Sequence, residues 1–409
     1  LRVFLVAGRG TWHVLPGGLV RMARHSKDLD RSVLAGQGSK DAWVLSEGPV
    51  REVSLLQPAG QSLELRRSGA ELPSRVADHL FWLGRHTERA ATSARILRSL
   101  LQRLTSEAKP DQLPEVTALL RVLAAHGMIE PGFVISGIRE QLPAIDAAIA
   151  PAVLDITHSG SLRGTIHAAY QNAGLVRDRI SLDAWRLIHR LEVQLDELCE
   201  QGPSSLSDLL ELVNAMIFEL AALDGIAGES MTRTQAWRFL DLGRRLERSL
   251  QTLALVEHCL LDDAKPNDAV YEAVLEITDS IMTYRSRYLA SWNLAALLDL
   301  LLTDETNPRA LAFQLAMIAE HVDRLPREST QPLLGPEQRI ARAALHNVRM
   351  LEREVLEEPA RATSSTRLSR LLIRLTEQLP KLSDLISHKY LVHAGLPRQM
   401  TGAPGRVHL

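Results

Sequence analysis

The spacing of apolar residues changes once along this chain, near residue 73. Before that point the apolar positions come in short runs two apart. Val3 and Leu5, then Trp12 and Val14, flank Gly8-Arg9-Gly10, which predicts a hairpin. Pro16-Gly17-Gly18 reads as a turn, and Ala42-Trp43-Val44-Leu45, closed by Gly48-Pro49, as a further strand. After the change, Val76, Leu80, Leu83 and Thr87 run on into Ala91, Ala94 and Leu97 at three-to-four spacing. That spacing predicts a helix, with Ser74 placed to cap it. Similar patterns cover roughly 112–126, 138–157, 161–175, 181–200, 205–223, 232–262, 267–289, 293–302, 308–325, 337–358 and 364–393. Breakers lie between them, among them Pro131-Gly132, Gly202-Pro203, Gly225 to Gly228, Pro266, Asn307-Pro308 and Gly335-Pro336.

This pattern predicts an all-α protein, a large multi-helix bundle preceded by a short β and turn segment. The expected divisions are 1–57 for that segment, 58–72 for a linker containing Pro58, Gly60 and Gly69, 73–395 for the helical domain and 396–409 for a flexible tail. Residues 1–57 are too few to bury both faces of their strands. Leu1 already lies inside a strand pattern, so the chain is expected to be a truncated part of a longer fusion protein.

One motif occurs twice. Leu83-Gly84-Arg85-His86-Thr87-Glu88-Arg89 returns as Leu242-Gly243-Arg244-Arg245-Leu246-Glu247-Arg248, an offset of 159 residues from Gly84 to Gly243. That period is too long for a solenoid and points to a duplicated helical half. Glycine inside a helix costs about 1 kcal/mol against alanine. Its return at the same place predicts a close helix–helix approach at Gly84 and Gly243. Such an approach would gather Arg85, Glu88, Arg89, Arg244, Glu247 and Arg248. Three readings stay open. The cluster binds an anionic or peptide-like ligand; Glu88 and Glu247 form a catalytic carboxylate pair; or the charges satisfy one another as a structural scaffold.

Two further clusters are candidates for ligand binding. In Arg177-Asp178-Arg179-Ile180-Ser181 the serine is a helix cap, which leaves Arg177 and Arg179 to be explained. In Tyr284-Arg285-Ser286-Arg287-Tyr288 the two tyrosines share a helix face, and with Arg285 they could order a carboxylate or phosphate. Solvated basic faces are the alternative for both.

Composition narrows the function classes. Lys and Arg total 47 against 49 Asp and Glu, which argues against nucleic acid or an anionic membrane as partner. Cys199 and Cys259 form neither a disulfide framework nor a metal signature, so a reducing cytoplasm is the expected compartment. No metal is expected, because His-Glu-x-x-His and Glu-x-x-His spacings are both missing. The richest apolar run, Leu294 to Leu302, is too short to span a bilayer and is interrupted by Asp299.

Ser74-Arg75-Val76-Ala77, Trp82-Leu83-Gly84-Arg85, Glu88-Arg89-Ala90, Arg177 to Ser181, Trp237-Arg238-Phe239-Leu240 and Asp304-Glu305-Thr306-Asn307-Pro308-Arg309 together resemble bacterial alpha-E domain proteins. Thr87 stands where a bulkier residue is common in that family. Leu1-Arg2-Val3-Phe4, Leu15 to Arg21 and Gly38 to Leu45 resemble the last strands of circularly permuted ATP-grasp proteins. The second resemblance implies carboxylate–amine ligase chemistry with ATP and Mg2+ for a complete ATP-grasp domain, to which Arg2, Arg21 and Lys40 would belong. It implies no cofactor for this chain alone. The partners implied are an ATP-grasp ligase or a transglutaminase-like protein, in a peptide synthesis or modification system. On this reading the helical domain is an accessory module that binds a peptide-like substrate or the partner, and it is not itself an enzyme.

Overall fold

The computed structural model describes residues 5–7, 11–14, 18–21, 39–45, 47–49, 72–106, 113–135, 137–138, 141–142, 144–202, 205–261, 267–289, 291–326, 333–358, 366–391 and 399–400. The chain divides into two compact units, Leu1–Arg67 and Ser68–Leu409.

In the first unit β1 (Leu5–Ala7) pairs antiparallel with β2 (Trp12–Val14), with Leu5 opposite Val14. β3 (Gly18–Arg21) pairs with β4 (Ser39–Ala42). The strand expected at Ala42–Leu45 ends at Ala42, and Trp43, Val44 and Leu45 lie exposed. The register explains the early end. Gly18 stands opposite Ala42, and ahead of Gly18 the sequence is Leu-Pro-Gly, in which proline has no N–H for a ladder.

The second unit is helical. In order it holds α1 (Ser74–Leu104), α2 (Pro114–Ala125), α3 (Ile145–Leu154), α4 (Leu162–Leu175), α5 (Leu182–Gln201), α6 (Leu206–Ser230) and α7 (Gln235–Leu255). Then come α8 (Asp268–Ile277), α9 (Ile281–Tyr288), α10 (Leu294–Leu298), α11 (Leu311–Asp323), α12 (Pro336–Arg349), α13 (Arg353–Glu357) and α14 (Arg367–Ile386). β5 (Leu72–Pro73) pairs with β6 (Gln399–Met400), inside the stretch expected to be a tail.

The long α1 is central and packs against α7, α4 and α6. With neighbours on several sides it buries most of its circumference. Leu80, Phe81, Leu97, Leu100 and Leu101 are sealed from solvent, as are Phe239, Leu242 and Leu246 of α7. Each such side chain contributes about 1.5–3 kcal/mol through burial.

Several expected boundaries moved. Ser74 is the first helical residue and Pro73 occupies the cap position, so no side chain caps α1. Ser181 does cap α5, accepting a bond from the amide of Ala184. The helix expected over 138–157 shrinks to α3, because Pro143 biases the residue before it away from helical geometry. The segment 267–289 breaks at Thr278–Ser280, where Asp279 takes a left-handed φ of 52°. The glycines expected to end α6 do not: the helix runs through Gly225 and Gly228 to Ser230. Packing of Met216, Leu220, Leu223 and Ala227 outweighs a glycine cost of about 1 kcal/mol each. No helix among the described residues is long and apolar enough to cross a membrane.

Candidate functional site

The repeated motif lies at the crossing of α1 and α7. A Cβ placed on Gly84 would sit 2.0 Å from the carbonyl oxygen of Leu240, and one on Gly243 would sit 2.1 Å from that of Phe81. Phe81 and Leu240 are each three residues before their glycine, so the contact is reciprocal under the repeat. Only a residue without a Cβ allows the two backbones this close.

The approach buries the charges one turn further on. Glu88 is 1 % exposed and Glu247 2 %. Each pairs with the opposite helix. Arg248 grips Glu88 through two bonds of 2.6 and 2.5 Å. Glu247 accepts from Arg89 Nε at 2.7 Å, from Arg85 Nε at 2.8 Å and, within its own helix, from Gln251 Nε2 at 3.2 Å. The Glu-Arg dipeptide of each repeat therefore binds the Glu-Arg dipeptide of the other. Thr87 fits because its hydroxyl donates back to the carbonyl of Leu83 in its own helix.

The symmetry fails one turn earlier. Arg85 reaches across to Glu247 and to Ser383 of α14. Its counterpart Arg244 turns instead to Asp224 of α6 at 2.6 Å and to Asp241. Asp241 also accepts from Arg245 and from His321. The carboxylates thus do not face each other across a wet cavity; arginines from the opposite helix hold each of them.

Among the described residues the other candidates make their contacts outside this ion-pair network. The guanidinium of Arg177 sits 4.4 Å over the Trp185 ring, itself stacked on Tyr170. Arg179 pairs with exposed Asp178 at the surface. Arg285 is exposed beside Trp292. The tyrosine hydroxyls do not join it. Tyr284 donates to the carbonyl of Ser291, and Tyr288 donates to Asp299 Oδ2 at 2.6 Å. Arg2 lies outside the described residues, as does the side chain of Arg21, while Lys40 is exposed on β4. Among the described residues no group of three or more His, Cys, Asp or Glu side chains is placed to hold a metal ion.

Residues 72–391 match the family described as alpha-E, a predicted alpha-helical domain with a conserved ER motif. The chain belongs to the alpha-E family. It is also 28 % identical, over 422 aligned residues, to uncharacterised proteins of Mycobacterium bovis and Mycobacterium tuberculosis. The alignment covers 99 % of this chain and 47 % of those proteins, so the chain spans about half the length of the curated relatives it matches. No solved structure matches it.

The buried network of the alpha-E domain is charged at neutral pH. Burial alone would raise the Glu247 carboxyl, but Arg85 and Arg89 pull it down to about 2. Burial likewise opposes ionisation of Glu88, and the Arg248 guanidinium overrides it and holds its pKa below the usual range. His86 falls to about 4 through burial and the nearby Arg89 cation, and His126, also buried, falls to about 4. In the unfolded chain these groups bind protons at higher pH than in the fold, so acid favours unfolding. The histidine contribution is complete above about pH 6.5 and is lost toward pH 4; the Glu247 contribution is complete above about pH 4.5 and is lost toward pH 2. Urea midpoints should therefore fall steadily from pH 7 to pH 3. His86→Gln should flatten the upper part of that decline and leave the lower part.

Several network members carry weak sequence signals. Asp241 stands where the first repeat has Trp82, so comparing the copies hides it. Asp224 and His321 come from other helices at no characteristic spacing. Arg309, within the Asp304–Arg309 motif, is pushed down to about 10 by burial and by Arg248 and Arg95.

Proposed function

We propose that the alpha-E domain is a binding module for a peptide-like substrate or a protein partner, working beside an ATP-grasp carboxylate–amine ligase in a peptide synthesis or modification system. The observation that carries this reading is the saturation of Glu88 and Glu247. Arginines of the opposite helix occupy both oxygens of each, which leaves no free carboxylate poised as a general base. The crossing works as the rigid frame of the bundle, and binding falls to its periphery. The likeness of residues 1–57 to the closing strands of an ATP-grasp domain supplies the ligase as partner, and a transglutaminase-like protein is the second choice.

ADP release by a complete circularly permuted ATP-grasp ligase, with peptide acceptors, tests the reading. Adding the chain should raise kcat/KM for the acceptor. Turnover of a small substrate by residues 73–409 alone would overturn the proposal and restore the Glu88/Glu247 enzyme.

A further inference from the structure

A cavity of about 940 Å3 opens where α10 packs on α13, at the end of α9. Its size suits a small ligand or a short peptide. Three observations mark it as a built site. The first is backbone geometry. Leu289, just after α9, holds a left-handed φ of 47°, rare for a bulky residue. The Tyr284 hydroxyl braces that turn, donating to the Ser291 carbonyl and accepting from the Asn293 amide. The second is the π-helical turn Asp299–Thr303, a distortion frequent at functional sites, which follows α10 and contributes both its end residues to the wall.

The third is charge. Asp299 accepts hydrogen bonds from the hydroxyls of Tyr288 and Thr303. No cation of the described residues lies within ion-pair distance of it, in contrast to Glu88, Glu247 and Asp241. Glu357 and Glu358 also line the cavity, Glu358 accepting from the backbone N–H of Arg367; among the described lining residues the one cation, Arg353, is already paired with Glu357 at 2.6 Å. The wall therefore carries an excess of negative charge beside the partly exposed ring of Tyr288, while Tyr284 is sealed beneath it. The carboxylates are too dispersed to share a metal ion. An organic cation fits instead. A primary ammonium brings three donors for Asp299 and the glutamates, and it is attracted to an aromatic face.

We propose that this cavity binds the free amine of a peptide-like ligand, with Asp299 as its anchor. This rests on the binding-module reading and names the end of the substrate that is held: the amine that a carboxylate–amine ligase would acylate. Burial and the Asp299 bond raise the Tyr288 phenol well above its usual pKa, which keeps it a hydrogen-bond donor to the anchor at all working pH values.

Calorimetry on the full chain with Ala-Ala-Ala-amide and with its N-acetylated form tests the proposal. The free-amine peptide should bind, and acetylation should weaken binding by roughly tenfold or more, as loss of a charged hydrogen-bonding group does. Asp299→Asn should weaken the free-amine peptide to a similar degree without affecting the acetylated one. If Asp299→Asn does not fold, Glu357→Gln, an exposed position of α13, replaces it, with a loss of about threefold or more expected. Equal binding of the two peptides, or binding of neither, overturns the amine site. If neither binds while the chain still raises ligase turnover, the binding-module reading stands without it. Amine-selective binding with no effect on the ligase confirms the site and overturns the ligase partnership.

Discussion

Gly84→Ala is expected to destabilise the domain by about 4 kcal/mol and to broaden or abolish its cooperative transition. The new Cβ would lie 2.0 Å from the Leu240 carbonyl oxygen, where an ordinary contact is beyond 3.4 Å. The obstacle is backbone, so no rotamer change relieves it; α1 and α7 must separate. That separation pulls on the ion pairs one turn away, whose geometry the crossing sets. Alanine's better helix propensity returns only about 1 kcal/mol. Gly243→Ala should do the same by symmetry against Phe81. The double variant should cost less than the sum, because one displacement accommodates both methyl groups. Gly225→Ala is the control. A Cβ there meets nothing within 4 Å, so the same substitution inside α6 should stabilise by about 0.5–1 kcal/mol. Chemical denaturation of the three single variants and the double variant checks the sign of each effect. A neutral Gly84→Ala would mean that the helices do not meet at the glycines.

Those two glycines were legible because they break a local rule twice at the same place. A helix-disfavoured residue in a strongly periodic helix signals a tertiary cause, and the repeat located both sides of the contact. The helical class was legible for a similar reason: three-to-four spacing persists over most of residues 74–391. Less could be read where a residue's partner comes from an element with no matching pattern. Arg85 and Arg244 are equivalent in the repeat, yet one pairs across the crossing and the other with Asp224 of α6. Nothing local to either arginine distinguishes them; the choice depends on which helix packs beside each. The cavity at Asp299 left a faint trace, an aspartate inside the richest apolar run of the chain. Its acidic wall was not visible, because Glu357 and Glu358 arrive from a helix more than 50 residues away in sequence.

Glu247→Ala should be more costly than Glu88→Ala, although the two positions are equivalent in the repeat. Removing one member of a buried ion pair leaves an uncompensated charge, at about 3–5 kcal/mol when burial is complete. Glu247 serves two cations, Arg85 and Arg89; among the described residues their other hydrogen-bond partner is the hydroxyl of Ser383 on Arg85, whose guanidinium also lies 5.3 Å over the Trp82 ring. Arg89 is one-third exposed and recovers some hydration, so the loss falls mainly on Arg85, whose side chain is 10 % exposed. Glu88 serves Arg248, and Asp224 Oδ2 lies only 3.8 Å from that guanidinium. A small movement lets Asp224 take over part of the lost pairing. Glu247→Ala should thus approach the upper end of that range, a fall in Tm on the order of 10 °C, and Glu88→Ala the lower end or less. Adding Arg248→Ala to Glu88→Ala removes the orphaned charge as well. That double variant should be more stable than the two single costs imply, by about 0.5–3 kcal/mol. Purely additive costs, or single variants that melt within a degree or two of the parent, would place these charges in solvent and remove the frame on which the binding-module reading stands.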